Sequence, residues 1–272
     1  MGKLWKIYKP FASNELKRCL AYKASFYLFI VCSLFSSFIA YYLWRAIYGS
    51  AESAILGGLS MQEMIVYVFM VYVTSQLVMV DIIDFIGEDV TKGTVVMNLI
   101  KPIDYRMSLI FIALGDMLYR FLAPSIFIWI GLEIYKVQVL GLPVVTPMQV
   151  LLYLISICMS FLISVLFDFC FGMIAFFTTY IFGMIMAKNA LMAFLTGQLI
   201  PLSFFPGIVQ RIFDFLPFSS MVYTPVMIYL GKYTGQELLF VLARQAVWVV
   251  VLYGLGSLIW SRVTKRLVVL GG

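Results

Sequence analysis

Histidine is absent from this chain, and charged residues make up only 12% of its 272 residues. The missing histidine removes the commonest general base and the commonest transition-metal ligand, which disfavours intramembrane proteases and haem proteins. Cysteine is scarce too, and its four copies form no C-x-x-C pair that would indicate a zinc cluster or a redox motif. We therefore predict no catalytic residues and no metal site.

A phosphate-binding loop is also missing from the sequence. No segment matches GxxxxGKS or GxxxxGKT, and the stretch at residues 87–93 is acidic and lacks the terminal Lys-Ser or Lys-Thr. We therefore predict that the chain is not an enzyme, and that it does not bind and hydrolyse ATP through a loop of its own.

Apolar residues dominate what is present: 63% of the chain is apolar and 17% aromatic, against about 45–50% apolar residues in soluble domains. Each crossing of a bilayer needs roughly 20 apolar helical residues, so the chain has length for about six crossings. The composition predicts an all-α polytopic membrane protein with a single transmembrane domain over residues 1–272.

The net charge of +6 is concentrated beside the apolar runs, within positions 3–23 and again at positions 262–266. Because basic residues mark the cytoplasmic side of membrane proteins, both termini are predicted to be cytoplasmic. This distribution indicates a lipid bilayer rather than nucleic acid as the partner of the charge. Residues 1–23 are predicted to form a cytoplasmic amphipathic segment.

Six spans can be placed along the sequence. The first covers residues 24–44, which are too long an apolar run for a cleavable signal and lack a cleavage site beyond it. The second covers residues 63–83, the third runs from near 106 to near 136, and the sixth covers residues 238–260. Residues 148–201 are too long for one crossing, so we split them at Thr178 and Thr179, with Lys188 and Asn189 as the competing break.

Charges within the predicted spans are candidates for function, because a charge at membrane depth needs a partner, water or a cavity. Asp168 would lie in the fourth span and Lys188 in the fifth. Asp116 and Arg120 are four residues apart on one helical face and can pair. The pair has two interpretations, a structural ion pair near the headgroups or a role in transport.

A polar patch separates the second and third spans within a predicted cytoplasmic segment, residues 84–107. Its sequence, GEDVTKGTVVMNLIKP, combines charges with apolar residues that include Met97. A short charged segment between two spans lies in water, so we predict that its apolar face contacts another protein, with an ordinary solvated loop as the alternative. The residues proposed for this contact are Glu88, Asp89, Lys92, Gly93, Val95, Val96, Leu99, Ile100 and Pro102.

Prolines interrupt the segment between the fifth and sixth spans. Each removes a backbone donor and clashes with the preceding helical turn, so four of them cannot lie in one smooth span. We predict an external re-entrant segment over residues 201–237, with a short helix at residues 207–216. Its marker residues are Gly197, Pro201, Pro206, Pro217 and Pro225.

These interruptions carry a family resemblance. The patch ending in Ile100 and Pro102 is followed by a run at residues 174–179 that resembles LAFWTT. Further matches are Thr196, Gly197, Pro201, Leu202, Phe205 and Pro206, then Leu216, Pro217 and Phe218, then Pro225 and residues 228–231. The chain resembles the membrane subunit of ABC type-2 transporters, most closely a branch of small bacterial six-span permeases. It departs from that pattern in having Phe177 for tryptophan and Thr196 for serine.

The resemblance implies a permease subunit of an ATP-driven exporter in the bacterial plasma membrane. It further implies a dimer with a second permease, of the same or a related chain, and two cytoplasmic ABC ATPase subunits that hold ATP and Mg²⁺. The chain itself would bind no cofactor. The patch would act as the coupling helix, and an amphipathic or hydrophobic substrate would cross between the two permeases.

Candidate pathway residues follow from the same resemblance, which places the pathway along the first, second and fifth spans. They either contact the cargo or form bonds between helices; they are Thr74, Ser75, Gln76, Lys188, Asn189, Thr196 and Gln198. Two other functions remain open: an ion-driven secondary transporter that uses Asp168 and Lys188 as a relay, and a non-transporting membrane partner of an ATPase.

Overall fold

A computed structural model describes residues 2–21, 23–79, 81–178 and 182–270, and these are almost entirely helical. The elements, in chain order, are α1 Gly2–Ala21, α2 Lys23–Ser50, β1 Ile55–Leu56, β2 Leu59–Ser60, α3 Met61–Val78, α4 Ile82–Thr91, α5 Thr94–Ile100, α6 Tyr105–Arg120, a π-helical turn Phe121–Ser125, α7 Ile126–Gln138, α8 Pro147–Gly172, a 3-10 turn Met173–Phe176, α9 Phe182–Leu195, a 3-10 turn Leu202–Phe204, α10 Gly207–Phe215, α11 Tyr223–Tyr229 and α12 Gly235–Leu270. The predicted all-α class is confirmed, since the two strands form only one short antiparallel hairpin.

Three helical segments in the described ranges are long and apolar enough to cross a bilayer: Met61–Thr91, Pro147–Phe176 and Gly235–Lys265. They overlap the predicted second, fourth and sixth spans. Helix α2 covers the predicted first span, and α6, the π-helical turn and α7 together cover the third. Helix α9 is shorter, with 14 residues, because the chain turns before Pro201. That the chain crosses the membrane six times stays a prediction.

Two helices begin at capping boxes that are visible in the sequence. Ser60 Oγ accepts a hydrogen bond from the backbone N–H of Glu63, and the Glu63 carboxylate accepts one from the Ser60 N–H at 2.9 Å. Thr146 and Gln149 repeat this arrangement at the start of α8, where Pro147 occupies the first turn. The first backbone N–H groups of a helix have no partner within the helix, and these side-chain bonds satisfy some of them. The capping boxes therefore explain why α3 and α8 begin where they do.

The helix break predicted at Thr178, between the predicted fourth and fifth spans, is present. Helix α8 passes into a 3-10 turn that ends at Phe176, and Thr178 is not helical. The competing break is wrong, because Lys188 and Asn189 lie inside α9. The prediction for Thr179 falls outside the described residues.

Helix α8 is central to the packing and contacts α3, α4, α11 and α12. A polar network fixes one of these contacts: Gln245 of α12 accepts a hydrogen bond from Ser156 Oγ at 3.0 Å and donates to Ser160 Oγ at 2.9 Å. Gln245 also donates to the backbone carbonyl of Ser220, in the turn before α11. Such bonds hold helices together where apolar burial cannot discriminate between protein and lipid.

Candidate functional site

The predicted contact patch folds as two short helices joined by a tight turn, which we call the elbow (residues 82–104). Helix α4 ends at Thr91, and Gly93 precedes α5 with a φ of +70°, a left-handed conformation that glycine adopts without strain. A Cβ at this position would meet no atom within 4 Å, so the requirement for glycine is conformational. Helix α5 ends before Pro102, because the residue preceding a proline is driven into extended backbone.

Asp89 holds the elbow together. Its carboxylate accepts hydrogen bonds from Thr94 Oγ1 at 2.6 Å, Asn98 Nδ2 at 3.0 Å and Tyr105 Oη at 2.8 Å. These bonds tie α4 to α5 and to the start of α6. Burial and the neighbouring Asp89 charge raise the pKa of Tyr105, which keeps its hydroxyl a donor. Asp89 therefore organises the elbow from within.

The outer surface of the elbow is partly apolar. Met97 is 64% exposed and Ile100 is 75% exposed, and the exposed ion pair of Glu88 and Lys92 lies at the end of α4. The prediction that Val95 contacts a partner is wrong, because its side chain is only 3% exposed and is buried within the protein. The side chains of two further predicted contacts, Val96 and Leu99, lie outside the described residues. A cavity of about 460 Å³ adjoins this surface, lined by residues of α1, α4, α5 and α6.

Asp168 and Lys188 form an ion pair between α8 and α9. Lys188 Nζ lies 3.1 Å from Asp168 Oδ1 and 3.2 Å from Oδ2, and the two residues are 7% and 2% exposed. They are twenty residues apart in sequence and meet because the chain reverses after α8. The structure thus brings together the two charges that the sequence placed at membrane depth.

The ion pair borders a polar cavity of about 210 Å³, the Lys188 cavity. Five of the seven predicted pathway residues line it: Ser75, Gln76, Lys188, Asn189 and Gln198. The other two do not. Thr74 shares a hydrogen bond with Tyr153 at 2.9 Å, and Thr196 donates to the carbonyl of Met192 at 2.7 Å. Thr74 therefore bonds α3 to α8, as one of the two interpretations expected. The Thr196 hydroxyl instead bonds within the end of its own helix, to the carbonyl four residues earlier.

A second polar cavity, of about 310 Å³, opens beside the first, and we call it the Asp84 cavity. The two cavities share Asp81 and Arg120. Arg120 Nε lies 2.9 Å from Asp116 Oδ2, so the predicted pair within α6 is present. Asp81 was not predicted beside this pair, since only the break between α3 and α4 brings it close to α6.

Helix α1 contributes Glu15 and Cys19 beside Asp116, with their donor atoms within 4.8 Å of one another. Both carboxylates already have basic partners: Arg18 binds Glu15 at 2.5 Å, and Arg120 binds Asp116. Burial and these carboxylates raise the pKa of the Cys19 thiol to about 11, which disfavours the thiolate that ligates metals. The arrangement fits a packed polar contact better than a metal site, and the expected absence of a metal stays a prediction.

The proline-rich segment is divided into short helical elements and turns. Pro201 precedes a 3-10 turn, Pro206 precedes α10, Pro217 lies in the turn after α10, and Pro225 lies in the first turn of α11. Each position is one where a helix needs no backbone donor. The predicted helix at residues 207–216 is confirmed as α10.

Gly197 closes this segment against the core. Its φ is +79°, and its carbonyl accepts a hydrogen bond from Tyr67 Oη at 2.6 Å. A Cβ would lie 3.1 Å from Tyr67 Oη and 3.3 Å from Tyr223 Cβ. Glycine is therefore required here by both backbone conformation and space.

Comparison with known families decides the class of this protein. Residues 34–271 match the family model described as ABC-2 family transporter protein. The chain belongs to the ABC-2 transporter family. It is accordingly a multi-pass membrane component of an ABC transporter, of a family whose members are typically permeases with no ATPase site of their own and generally no bound cofactor. Membership implies ATPase partners. A search of the curated proteins finds no match to this chain.

Proposed function

We propose that this chain is a six-span permease subunit of an ATP-driven exporter, and that the elbow is its coupling element. The observation that carries the proposal is the elbow surface, where exposed Met97 and Ile100 lie on a short helix that the hydrogen bonds of Asp89 tie to α4. An apolar surface next to charged side chains suits the groove of a partner protein, because the charges fix the orientation of the partner and burial of the apolar groups supplies affinity.

The topology of the proposal places the elbow and both termini in the cytoplasm, with residues 201–237 as the external re-entrant segment. Basic residues beside the first and last apolar runs support this orientation. ATP and Mg²⁺ would be held by two ATPase subunits, which move the elbow as they close. The bacterial plasma membrane is the proposed location.

Exposed apolar helix faces support a second permease, either a second copy or a related chain. Helix α9 buries only Lys188 and Met192, and it exposes Phe182, Met186 and Leu191. Helix α2 is similarly bare along Leu28, Val31, Phe35, Phe38, Ile39 and Tyr42. Contact with lipid or a partner permease covers such faces. An amphipathic or hydrophobic substrate would cross at the interface between the two permeases.

Co-purification with an ATPase tests this function. The tagged chain, expressed with its genomic neighbours, should retain a subunit that carries a P-loop. The double variant Met97→Asp with Ile100→Asp should lose that subunit, because two charges would enter the contact. Ile208→Asp is a matched control, since Ile208 is 77% exposed on α10 and the proposal places it outside the cell. Equal retention by both variants would contradict a coupling role for the elbow.

The buried pair of Asp168 and Lys188 favours one second candidate, an ion-driven transporter, since intramembrane charges form proton relays in such proteins. Proteoliposomes with an imposed proton gradient and no nucleotide separate the two functions. Cargo movement under these conditions would favour the relay, whereas transport only with ATP and the ATPase favours the permease. ATP hydrolysis with no cargo crossing would instead indicate a non-transporting partner.

A further inference from the structure

The two polar cavities form an acidic region within a basic chain. Their ionisable lining comprises the carboxylates of Glu15, Asp81, Asp84, Glu88, Asp116 and Asp168 and the basic groups of Arg18, Arg120 and Lys188. Carboxylates therefore outnumber basic groups here, although the whole chain carries a net charge of +6.

Ion pairing locates the uncompensated charge. Every basic group in the lining already binds a carboxylate: Arg18 binds Glu15, Arg120 binds Asp116 and Lys188 binds Asp168. Glu88 pairs with Lys92. Asp81 and Asp84 have no ion-pair partner within the part of the chain that the structure describes, and Asp81 makes no side-chain bond to the start of α4. The half charge at the start of α4 does not offset two carboxylates.

Two residues that line the Lys188 cavity carry hydrogen-bond acceptors without donors in the described part of the chain. Ser75 is 6% exposed, lines the Lys188 cavity, and its Oγ has no partner among the described residues. Gln76 Nε2 donates to Tyr72 Oη at 2.8 Å, which leaves the buried Gln76 Oε1 free of any bond in the described ranges. Buried polar atoms are normally paired, so these oxygens indicate a ligand that supplies donors.

An apolar cavity of about 190 Å³ adjoins the polar one and shares Lys188 and Met192 with it. Its other lining residues include Phe167, Phe171 and Phe218. Aromatic rings and methionine pack against apolar groups of varied shape. The pair of cavities therefore offers acceptors and negative charge at one end and an apolar surface at the other.

We propose that this composite site binds the protonated amine of a cationic amphipathic substrate, with the ammonium group at Asp81, Ser75 and Gln76 and the apolar body in the adjoining cavity. An ammonium group has three donors and no acceptor, which matches the acceptors and charge that lack partners. An anion would need Arg120 or Lys188, and both are already bound to carboxylates. Asp84, exposed at the outer cavity, attracts the cation toward the site. This substrate class rests on the proposed transport function.

Three fluorescent probes with the same dansyl group and alkyl chain test the inference: dansylcadaverine, its N-acetyl derivative and dansyl-aminohexanoic acid. The full chain is placed in lipid nanodiscs without nucleotide, and empty nanodiscs provide the background. Dansylcadaverine should bind at least about tenfold more tightly than the other two, because one charge-assisted hydrogen bond is lost in each of them. Asp81→Asn should reduce the affinity for the amine toward that of the N-acetyl probe, and Ser75→Ala should reduce it by a smaller factor.

Glu237→Gln is the matched control, since it removes an exposed carboxylate at the start of α12 and should leave the affinity unchanged. Asp84→Asn serves as a second variant if Asp81→Asn does not give a monodisperse protein. Equal binding of the three probes, tighter binding of the carboxylate, or an unchanged affinity in both aspartate variants would overturn the inference. Because binding is measured without an ATPase, a failure of co-purification and a failure of amine recognition are separate results.

Discussion

Removing one partner of the buried ion pair should be among the most costly single changes in this protein. Lys188→Met leaves the carboxylate of Asp168, which is 2% exposed, without its only close basic group among the described residues. Unpairing a buried charge typically costs about 3–5 kcal/mol. We expect the same range for Asp168→Asn, which leaves the Lys188 ammonium unpaired.

The double variant Lys188→Met with Asp168→Asn should recover most of this loss, because neither charge remains to be desolvated. Lys232→Met is the control. Its pair with Glu63 has a distance of 2.7 Å and side chains 27% and 29% exposed, and such solvated pairs contribute about 0–1 kcal/mol.

Thermal unfolding of all four variants in one detergent, followed by tryptophan fluorescence, measures the order of stabilities. A Lys188→Met variant as stable as Lys232→Met would refute the reasoning that burial makes this pair costly to break. Transport provides a second measurement: a structural pair predicts that the double variant still transports with ATP, whereas a relay predicts that it cannot transport at all.

Three further predictions concern the elbow, the proline-rich segment and the proposed topology. Asp89→Ala removes the acceptor of three hydrogen bonds. The free energy of unfolding should fall by about 1–3 kcal/mol, and amide hydrogen exchange at residues 94–105 should become faster. Unchanged exchange at these residues would contradict the role of Asp89 in holding the elbow together. Gly197→Ala should destabilise the chain by more than Gly141→Ala, because both glycines have positive φ but only Gly197 of the two is crowded. The backbone conformation alone costs about 1–2 kcal/mol at each position. Equal melting temperatures of the two variants would show that the contact of an added Cβ with Tyr67 has no energetic cost. In a cysteine-free background, Lys101→Cys and Arg211→Cys, both exposed, should react with a membrane-impermeant maleimide from opposite sides of the membrane, and labelling of both from one side would contradict the proposed topology.

Local signals in the sequence predicted some of the element boundaries. The prolines after residue 200 and the polar break at Thr178 each act within a few residues, so their effect on the backbone can be read without knowing the fold. The capping boxes at Ser60 and Thr146 act over an equally short range but were not predicted. The elbow was predicted as a polar patch for the same reason, and its helix α5 is bounded by Gly93 and Pro102.

The candidate site was predictable only in part. Gln76, Lys188, Asn189 and Gln198 were expected along a pathway and line one cavity, but Thr74 and Thr196 were not separable from them by residue type. Val95 was expected on the exposed face of the elbow and is buried. A seven-residue helix has too few turns for its apolar face to be assigned from spacing alone.

The sequence by itself determined that this is a helical membrane protein without histidine-based chemistry or an ATP-binding loop, because composition and apolar run length act independently of how the helices pack. Only the tertiary structure decided which charges meet. Lys188 meets Asp168 because the chain reverses after α8. Asp81 lines the same cavities as Arg120, without pairing with it, because the chain breaks between α3 and α4. The ion pairs in turn decide which carboxylates have no basic partner. The acidic cavities could therefore be recognised only from the packed structure and not from the order of residues in the sequence.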